Sequence, residues 1–383
     1  MRILWVNHHA APVGGAERYM RDAVPGLRDA GWDSHLLYRV DGALERGFVS
    51  AFAGAYPLVD LSAQVRALAA DVVYVQQLPG LAEARLLAGL DVPVVRFHHD
   101  HELFCLRRHK YTTLGSRTCS RRTSVRACYP CLGFLGPGRG VLPVSFRRLG
   151  PLHAEQAANR RFAGHVVAAP YMREHLVLHD FPAERIRVLP PGVAPVEPRP
   201  RVEGGPVLYV GQLIRGKAVD VLLAAMTRLP GERLEIVGSG PQEGELRARC
   251  RALALDDRVA FLGRLDGPAL EAAYRRAAVV AVPSRAPETL NLVGIEALAR
   301  GVPVVATAVG GMGAWLQDGE TGLAVPSNDA VALAAALRRL LTDSALRQRL
   351  ADRGRAVVGE RFTFQAHCAG LLAFFTSLLG RRA

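Results

Sequence analysis

Short β-branched runs alternate with amphipathic stretches from one end of the chain to the other, the pattern of parallel strands joined by helical crossovers. In the first half Ile3–Val6, Leu36–Val40, Val72–Val75 and Val92–Phe97 read as strands. Pro12 to Gly15 reads as a loop, and Ala16 onward as a helix that Pro25 kinks or divides before Gly31 stops it. Residues 98 to 150 break the pattern. Rich in His, Arg, Cys and Gly, they predict an elaborated loop region with short helices. Alternation returns at Val166–Ala168 and runs to Pro190-Pro191-Gly192, after which Pro195, Pro198, Pro200, Gly204 and Gly205 mark a linker. A second series follows, with strands at Val207–Val210, Leu234–Val237, Val259–Leu262, Val279–Val282 and Val304–Ala306, each followed by a helix-like segment. Phe364 to Leu379 predicts an apolar helix that crosses back to the first half. The pattern therefore predicts an α/β protein of two doubly wound, Rossmann-like domains. They cover 1–197, with a cysteine-rich insert at about 98–150, and 203–361, with 362–383 packing back on the first.

Composition narrows the class. At 383 residues, with 50% apolar and 22% charged positions, the chain can bury a sizeable core and is not disordered. No apolar run approaches the roughly 18 residues of a membrane helix. The opening Ile3-Leu4-Trp5-Val6 reaches polar Asn7-His8-His9 too soon for a signal-peptide core, so a cytoplasmic protein is expected. The net charge of +13 comes from 48 Lys and Arg against 35 Asp and Glu, with Lys110 and Lys217 the only lysines. Part of that arginine excess fits codon bias; the rest suggests anionic partners such as nucleotide phosphates, lipid phosphates or the inner leaflet of the membrane. Nucleic acid is the poorer fit, because the basic run from Arg107 to Arg126 carries one aromatic, Tyr111, and no known finger, helix-turn-helix or RRM spacing.

In open parallel sheets ligands bind beyond the carboxyl ends of the strands, and three such loops stand out in the second half. Gly211-Gln212-Leu213-Ile214-Arg215-Gly216-Lys217 combines glycines, which let backbone approach a ligand, with a rare lysine whose point charge suits a diphosphate. Gly238-Ser239-Gly240-Pro241 opens a helix near Gln242 and could offer amides to an anion, or simply make a tight turn. In the third, Glu288 sits in a polar loop, a helix begins near Leu290, and Glu296 lies among Val293, Ile295, Ala297 and Leu298. A carboxylate in such company is costly unless something accepts its hydrogen-bonding capacity. Eight residues at 1.5 Å rise span at most about 12 Å, roughly a ribose-to-hexose distance across a diphosphate.

The Glu288-to-Glu296 pair, the following Ala-Leu-Ala-Arg-Gly-Val-Pro-Val-Val-Ala-Thr, Gly310-Gly311, Asp318-Gly319-Glu320-Thr321-Gly322 and the Gly-x-Leu-x3-Lys loop together resemble the retaining glycosyltransferases of GT-B family 4. The likeness is specific from about residue 205 to 330 and looser before. It implies two domains facing a cleft, the second of which binds a UDP- or GDP-type nucleotide-diphosphate sugar. Glu288 would hold the transferred sugar's hydroxyls, Glu296 the ribose, and Lys217 the diphosphate leaving group. The amides of Thr289, Leu290, Asn291 and Leu292 would face donor sugar and phosphate, with Gly238 nearby and the base against Arg264 and Leu265. The resemblance implies no catalytic metal and no protein nucleophile, with the departing phosphate receiving the acceptor's proton. Two positions depart from the family pattern. Gln212 stands where an arginine is usual, which leaves Arg215 or Arg285 to supply the second cation, and Asn291 stands where glycine is often found.

In the first half Gly14-Gly15-Ala16-Glu17 follows the first strand and opens a helix, a backbone-amide nest that resembles the family's Gly-Gly loop near donor phosphates and acceptor. His99-Asp100 matches the family's His-Asp position, where His99 would contact donor sugar or acceptor and His98 and His101 are the alternatives. Cys105, Cys119, Cys128 and Cys131 are clustered as for a structural zinc site, with a labile disulfide or free thiols as alternatives. Cys250 and Cys368 read as packing residues. The expected function is sugar transfer to a bacterial cell-envelope, polysaccharide or lipid-linked acceptor. Against it stand a non-catalytic nucleotide-sugar scaffold, motivated by Gln212, a transferase acting on a small natural product, and a GT-B epimerase or phosphorylase.

Overall fold

The computed structural model describes residues 1–380 apart from 40, 78–79, 113–114, 116, 138–143, 195 and 197–203. The chain divides into two compact units: Met1–Thr113, Ser120–Gly192 and Phe364–Ala383 form the first, Leu114–Cys119 and Val193–Thr363 the second. Val40 and the expected linker prolines Pro195, Pro198 and Pro200 lie outside the described residues; Gly204 and Gly205 lead directly into the second unit's first strand.

The first unit is built on β1 (Arg2–Asn7), β2 (Asp33–Arg39), β3 (Gly54–Leu58), β4 (Val72–Val75), β5 (Val94–Phe97), a small hairpin of β6 (Leu135–Pro137) and β7 (Val144–Phe146), then β8 (Gly164–Val167) and β9 (Ile186–Val188). The seven-stranded sheet is parallel, in the order β3-β2-β1-β4-β5-β8-β9. Its central strands are buried on both faces, which is why they read as unbroken apolar runs. The helix Gly15–Asp29 runs through Pro25 without dividing. Pro25 and Arg21 are both exposed, so the Arg21 carbonyl that loses its amide partner can turn to water. The insert after β5 holds a 3-10 turn, Glu102–Phe104, and a short helix, Val125–Cys128, as expected, together with the β6–β7 hairpin, which its irregular sequence did not reveal.

The second unit comprises β10 (Val207–Val210), β11 (Leu234–Val237), β12 (Val259–Gly263), β13 (Val279–Val282), β14 (Val304–Thr307) and β15 (Gly322–Val325), all parallel in the order β12-β11-β10-β13-β14-β15. This is the doubly wound order, with its reversal between β10 and β13. Leu222, Leu223 and Met226, together with Leu333, Leu337 and Leu350, close the core around Val207, Ile236 and Val305. After β14 a 3-10 turn at Gly311–Ala314, not a helix, leads into β15. Among the described residues no helix is long and apolar enough to cross a membrane.

The helix Phe364–Leu379 belongs to the first unit. Phe375 meets Trp32 and Tyr74, Cys368 lies against the Ala23 carbonyl, and His367 bridges Pro190 O at 2.9 Å and the Tyr19 hydroxyl at 2.9 Å.

Candidate functional site

In the second unit the reversal of strand order places the loop after β10 beside the loop after β13. Lys217 comes from the first and Glu288 from the second, 71 residues apart in sequence, and Lys217 Nζ donates to Glu288 Oε1 at 2.7 Å. Ser284 Oγ donates to the same oxygen at 2.6 Å, while Thr307 Oγ1 holds the Ser284 carbonyl at 2.5 Å. Both partners of the ion pair are partly exposed, at 25% and 14%, so an incoming ligand can reach them. Ser284, buried at the end of β13, is a site residue that sequence reasoning passed over; its place four residues before Glu288 was the available signal.

Backbone-to-backbone contacts fix these loops. Gly310, at φ +64, lies so close to Glu288 that a Cβ there would stand 2.4 Å from the Glu288 carbonyl oxygen, and Gly311 N donates to that carbonyl at 2.6 Å. The Gly238 and Gly240 turn packs on the Gly211–Leu213 loop. A Cβ on Gly238 would fall 1.8 Å from Gly211 O and one on Gly240 2.5 Å from Leu213 O, while Leu213 N donates to Ser239 O at 2.9 Å. Gly238 N in turn donates to Gly263 O at 2.7 Å, which ties in the loop carrying exposed Arg264 and half-buried Leu265. The glycines of the second loop therefore have a local task, the close packing of neighbouring turns. Beneath the first loop Tyr209 is buried and donates to Gln212 O at 2.9 Å; burial first and the Glu288 charge second push its pKa up.

The helix carrying Glu296 spans Leu292–Ala299 and so begins two residues later than expected. Asn291 caps it at φ +69, its Oδ1 accepting from Gly294 N at 3.1 Å. The backbone here is left-handed, which explains why glycine suits this position and why Asn, tolerant of that conformation, can take its place. Thr289 and Leu292 are half-buried; Leu290 is buried, and its carbonyl accepts from Trp315 Nε1 at 2.7 Å. Glu296 is half-buried, and its Oε2 accepts from the Tyr274 hydroxyl at 3.2 Å, with the Arg300 guanidinium 4.7 Å over the Tyr274 ring. The carboxylate's cost is thus met in part by Tyr274.

The two candidates for the second cation separate. Arg285 is buried and fully engaged: its Nη2 reaches both Asp220 oxygens at 2.9 and 2.7 Å, Nε reaches Asn328 Oδ1 at 2.8 Å, and Nη1 reaches Arg215 O at 2.9 Å. It braces the loop and is not available to a ligand. Arg215 and Gln212 are both exposed.

In the first unit the reversal falls between β1 and β4. Gly14 caps the helix Gly15–Asp29, and its N–H donates to Glu17 Oε2 at 2.9 Å, while buried Glu17 accepts from Asn7 Nδ2 at 2.9 Å. The expected amide nest thus already holds a carboxylate from its own chain, and Gly15 beside it is exposed. Of the three neighbouring histidines, His98 is buried against His165 and His101 against Tyr171, whereas His99 is partly exposed and bonds through Nε2 to Gln76 Oε1 at 2.7 Å. Burial, then the Arg96 and His367 charges, lowers the His99 pKa to about 3, so the ring is neutral at pH 7. Cys105, Cys128 and Cys131 lie in the first unit and Cys119 in the second; none of the six cysteines forms a disulfide. Among the described residues no three His, Cys, Asp or Glu side chains are grouped so as to hold a metal ion.

Two Rossmann-like units, each with polar side chains gathered at the reversal of its strand order, define the GT-B class of fold. The chain belongs to the family 4 glycosyltransferases of that class: residues 13–197 match the family described as Glycosyltransferase Family 4 and residues 199–357 the one described as Glycosyl transferases group 1. It is 37% identical over 171 residues to a glycogen synthase of Mycobacterium tuberculosis, covering 44% of this chain and 41% of that one. It is 35% identical over 269 residues to a D-inositol 3-phosphate glycosyltransferase of Acidothermus cellulolyticus, covering 63% and 59%. The chain thus spans between 41% and 59% of the length of these curated relatives. Its fold matches the crystal structure of Anabaena HepE in complex with UDP at a TM-score of 0.74, with 20% identity over 98% of this chain and all of that one. Sucrose-phosphate synthase from Thermosynechococcus elongatus matches at 0.73, with 24% identity over the whole of both chains.

Proposed function

We propose that this protein is a retaining glycosyltransferase that moves a sugar from a UDP- or GDP-type nucleotide-diphosphate sugar to a cell-envelope, polysaccharide or lipid-linked acceptor. The observation that carries the reading is the Lys217–Glu288 pair at the strand-order reversal of the second unit, 2.7 Å apart. In this reading the diphosphate takes over the lysine's charge, and the freed Glu288 carboxylate accepts from the sugar's hydroxyls. Bond breaking between the sugar's anomeric carbon and the phosphate oxygen leaves negative charge on the diphosphate, which Lys217 and exposed Arg215 neutralise. The acceptor oxygen bonds to the same face of that carbon, and its proton passes to the departing phosphate. Glu296 holds the ribose, and neutral His99 offers a hydrogen bond to donor sugar or acceptor. HepE, whose solved complexes contain UDP and UDP-glucose, supports the choice of donor.

The test is a thermal-shift panel of UDP-, GDP-, ADP- and TDP-sugars on the protein and on Glu296→Ala. A ligand at 100 times its Kd stabilises by about 2.7 kcal/mol. A shift with one nucleotide that is lost in the variant supports the donor site and names the base; no shift with any sinks it. Binding without release of nucleotide diphosphate would favour a second reading, a non-catalytic sugar-nucleotide binder. Gln212 in place of the usual arginine and the sequestration of Arg285 are its grounds.

A further inference from the structure

Glu296 is not positioned by its own helix alone. The helix Gly267–Arg276 buries Leu270, Ala273 and Tyr274, the i, i+3, i+4 spacing of a face turned to the core. Tyr274 is 0% exposed, and its hydroxyl donates to Glu296 Oε2, 22 residues further on, at 3.2 Å. A phenylalanine would fill the same space, so packing does not call for the oxygen. A phenolic O–H this deep needs an acceptor, and here a carboxylate serves, which makes the bond a charge-assisted one.

Arg300, just past the end of the Glu296 helix, ties the two helices together. Its guanidinium lies 4.7 Å over the Tyr274 ring, its Nη1 donates to the Glu296 carbonyl at 2.9 Å, and its Nε donates to Glu271 Oε2 at 2.7 Å. Glu271 stands three residues before Tyr274, one turn away on the same helix. One arginine thus holds both the backbone of Glu296 and the turn that carries Tyr274. The tyrosine in turn holds the Glu296 side chain.

We propose that Tyr274, braced by Arg300, is a positioning residue that presets the Glu296 carboxylate for the two hydroxyls of a ribose, and so sets this site's preference for ribonucleotides over 2′-deoxyribonucleotides. The inference rests on the reading of Glu296 as the residue that holds the ribose, and deepens it. A glutamate side chain turns about three bonds, and a ligand that arrests it must meet the entropy lost. A carboxylate already anchored by a buried hydroxyl has given up that freedom before the ligand arrives, which is preorganisation. Tyr274 and Arg300 act through Glu296, not on the ligand.

The test is isothermal titration calorimetry of the full chain with UDP, 2′-deoxy-UDP, GDP and 2′-deoxy-GDP. The protein is expected to bind one ribonucleotide more tightly than its deoxy form, and E296A to bind the two alike. In Y274F binding must immobilise one more long side chain, so ribonucleotide affinity is expected to fall about two- to tenfold while the deoxynucleotide changes less. Adding Y274F to E296A should then cost nothing further. Equal losses for both sugars in Y274F, or a further loss in the double variant, overturn the proposal. A ratio lost in E296A but kept in Y274F removes Tyr274 and leaves the ribose reading standing. No ribonucleotide preference in the protein itself, or one that survives E296A, overturns both together. Should Y274F fail to fold, R300K reads the same ratio, because a lysine cannot hold Glu271 and the Glu296 carbonyl in the arginine's fork. The ratio is expected to fall there too, and an unchanged one overturns the proposal.

Discussion

The two units share one strand logic, yet every one of the twelve histidines lies in the first and none in the second. The first holds its polar interior through side chains: His98 on His165, His101 on Tyr171, His175 on the same tyrosine, His367 between Pro190 and Tyr19. The second packs its loops backbone against backbone, with glycines at the crossings, and adds side-chain braces built on ion pairs, Arg285 on Asp220 and Lys217 on Glu288. Side-chain networks respond to protonation, whereas glycine crossings respond to any added atom. The two units should therefore fail under different insults.

Acid is the strongest test of that difference. Burial first, with help from Lys110 or Arg96, pushes His101, His165 and His175 down to about 3 and His179 to about 4, and burial alone brings His367 to about 4. Their folded pKa values lie below the unfolded value of 6.5, so the unfolded chain binds more protons between the two. Stability from these groups is full above about pH 6.5 and falls as pH drops toward 4, by up to about 1.4 kcal/mol per pH unit for each histidine. Between pH 7 and 5 the first unit is expected to lose several kcal/mol and the second little. Hydrogen exchange read by peptide resolves the units; equal loss of protection in both would refute the contrast.

A methyl group sharpens it from the other side. Gly238 sits at φ +135 with Gly211 O where a Cβ would go, so Gly238→Ala should cost about 4 kcal/mol or prevent folding. At Gly15 an added Cβ meets nothing within 4 Å in the first turn of a helix, and Gly15→Ala should be neutral or up to about 1 kcal/mol stabilising. Urea unfolding of both variants decides, and similar losses would mean that the glycine crossings do not matter as argued.

The same contrast governs what could be read in the sequence. Val207–Val210, Leu234–Val237 and Val279–Val282 were legible to the residue because central parallel strands are buried on both faces and must be apolar throughout. In the two large sheets the strands that escaped, Gly54–Leu58, Ile186–Val188 and Gly322–Val325, all lie at sheet edges. An edge strand pairs on one side only, so it can carry Pro57 or start on Gly322 and lose the apolar signature. In the candidate site, Lys217 and Glu288 were legible as types of chemistry in loops that follow strands, and Glu296 as a carboxylate in the helix that follows Glu288. Their partners were not, because the Lys217–Glu288 pairing follows from the adjacency of β10 and β13, and the engagement of Arg285 from Asp220 and Asn328, each far off in sequence.

The ion pair supplies the next largest effect. Lys217→Ala removes the cation proposed to meet the leaving group and is expected to lower transfer by 10²–10³. Arg285→Ala should instead act through stability, because Asp220 and Asn328 lose their partner. Assaying turnover and melting temperature together separates the two. A Lys217→Ala protein of normal activity would remove the lysine from the mechanism.

The smallest effect tests the loop that leads to Glu296. Asn291 does two things at once: its side chain caps the helix through Gly294 N, and its backbone stands at φ +69. Glycine abolishes the cap but relaxes the backbone, so Asn291→Gly should cost only a few tenths of a kcal/mol. Alanine abolishes the cap and keeps the left-handed penalty, so Asn291→Ala should cost about 1–3 kcal/mol. The ordering matters more than either value, since a cap-only role predicts equal losses and a backbone-only role predicts that glycine is the more stable protein. If the glycine variant also keeps its donor affinity, the side chain at 291 serves the helix and the ligand meets only the backbone of this turn.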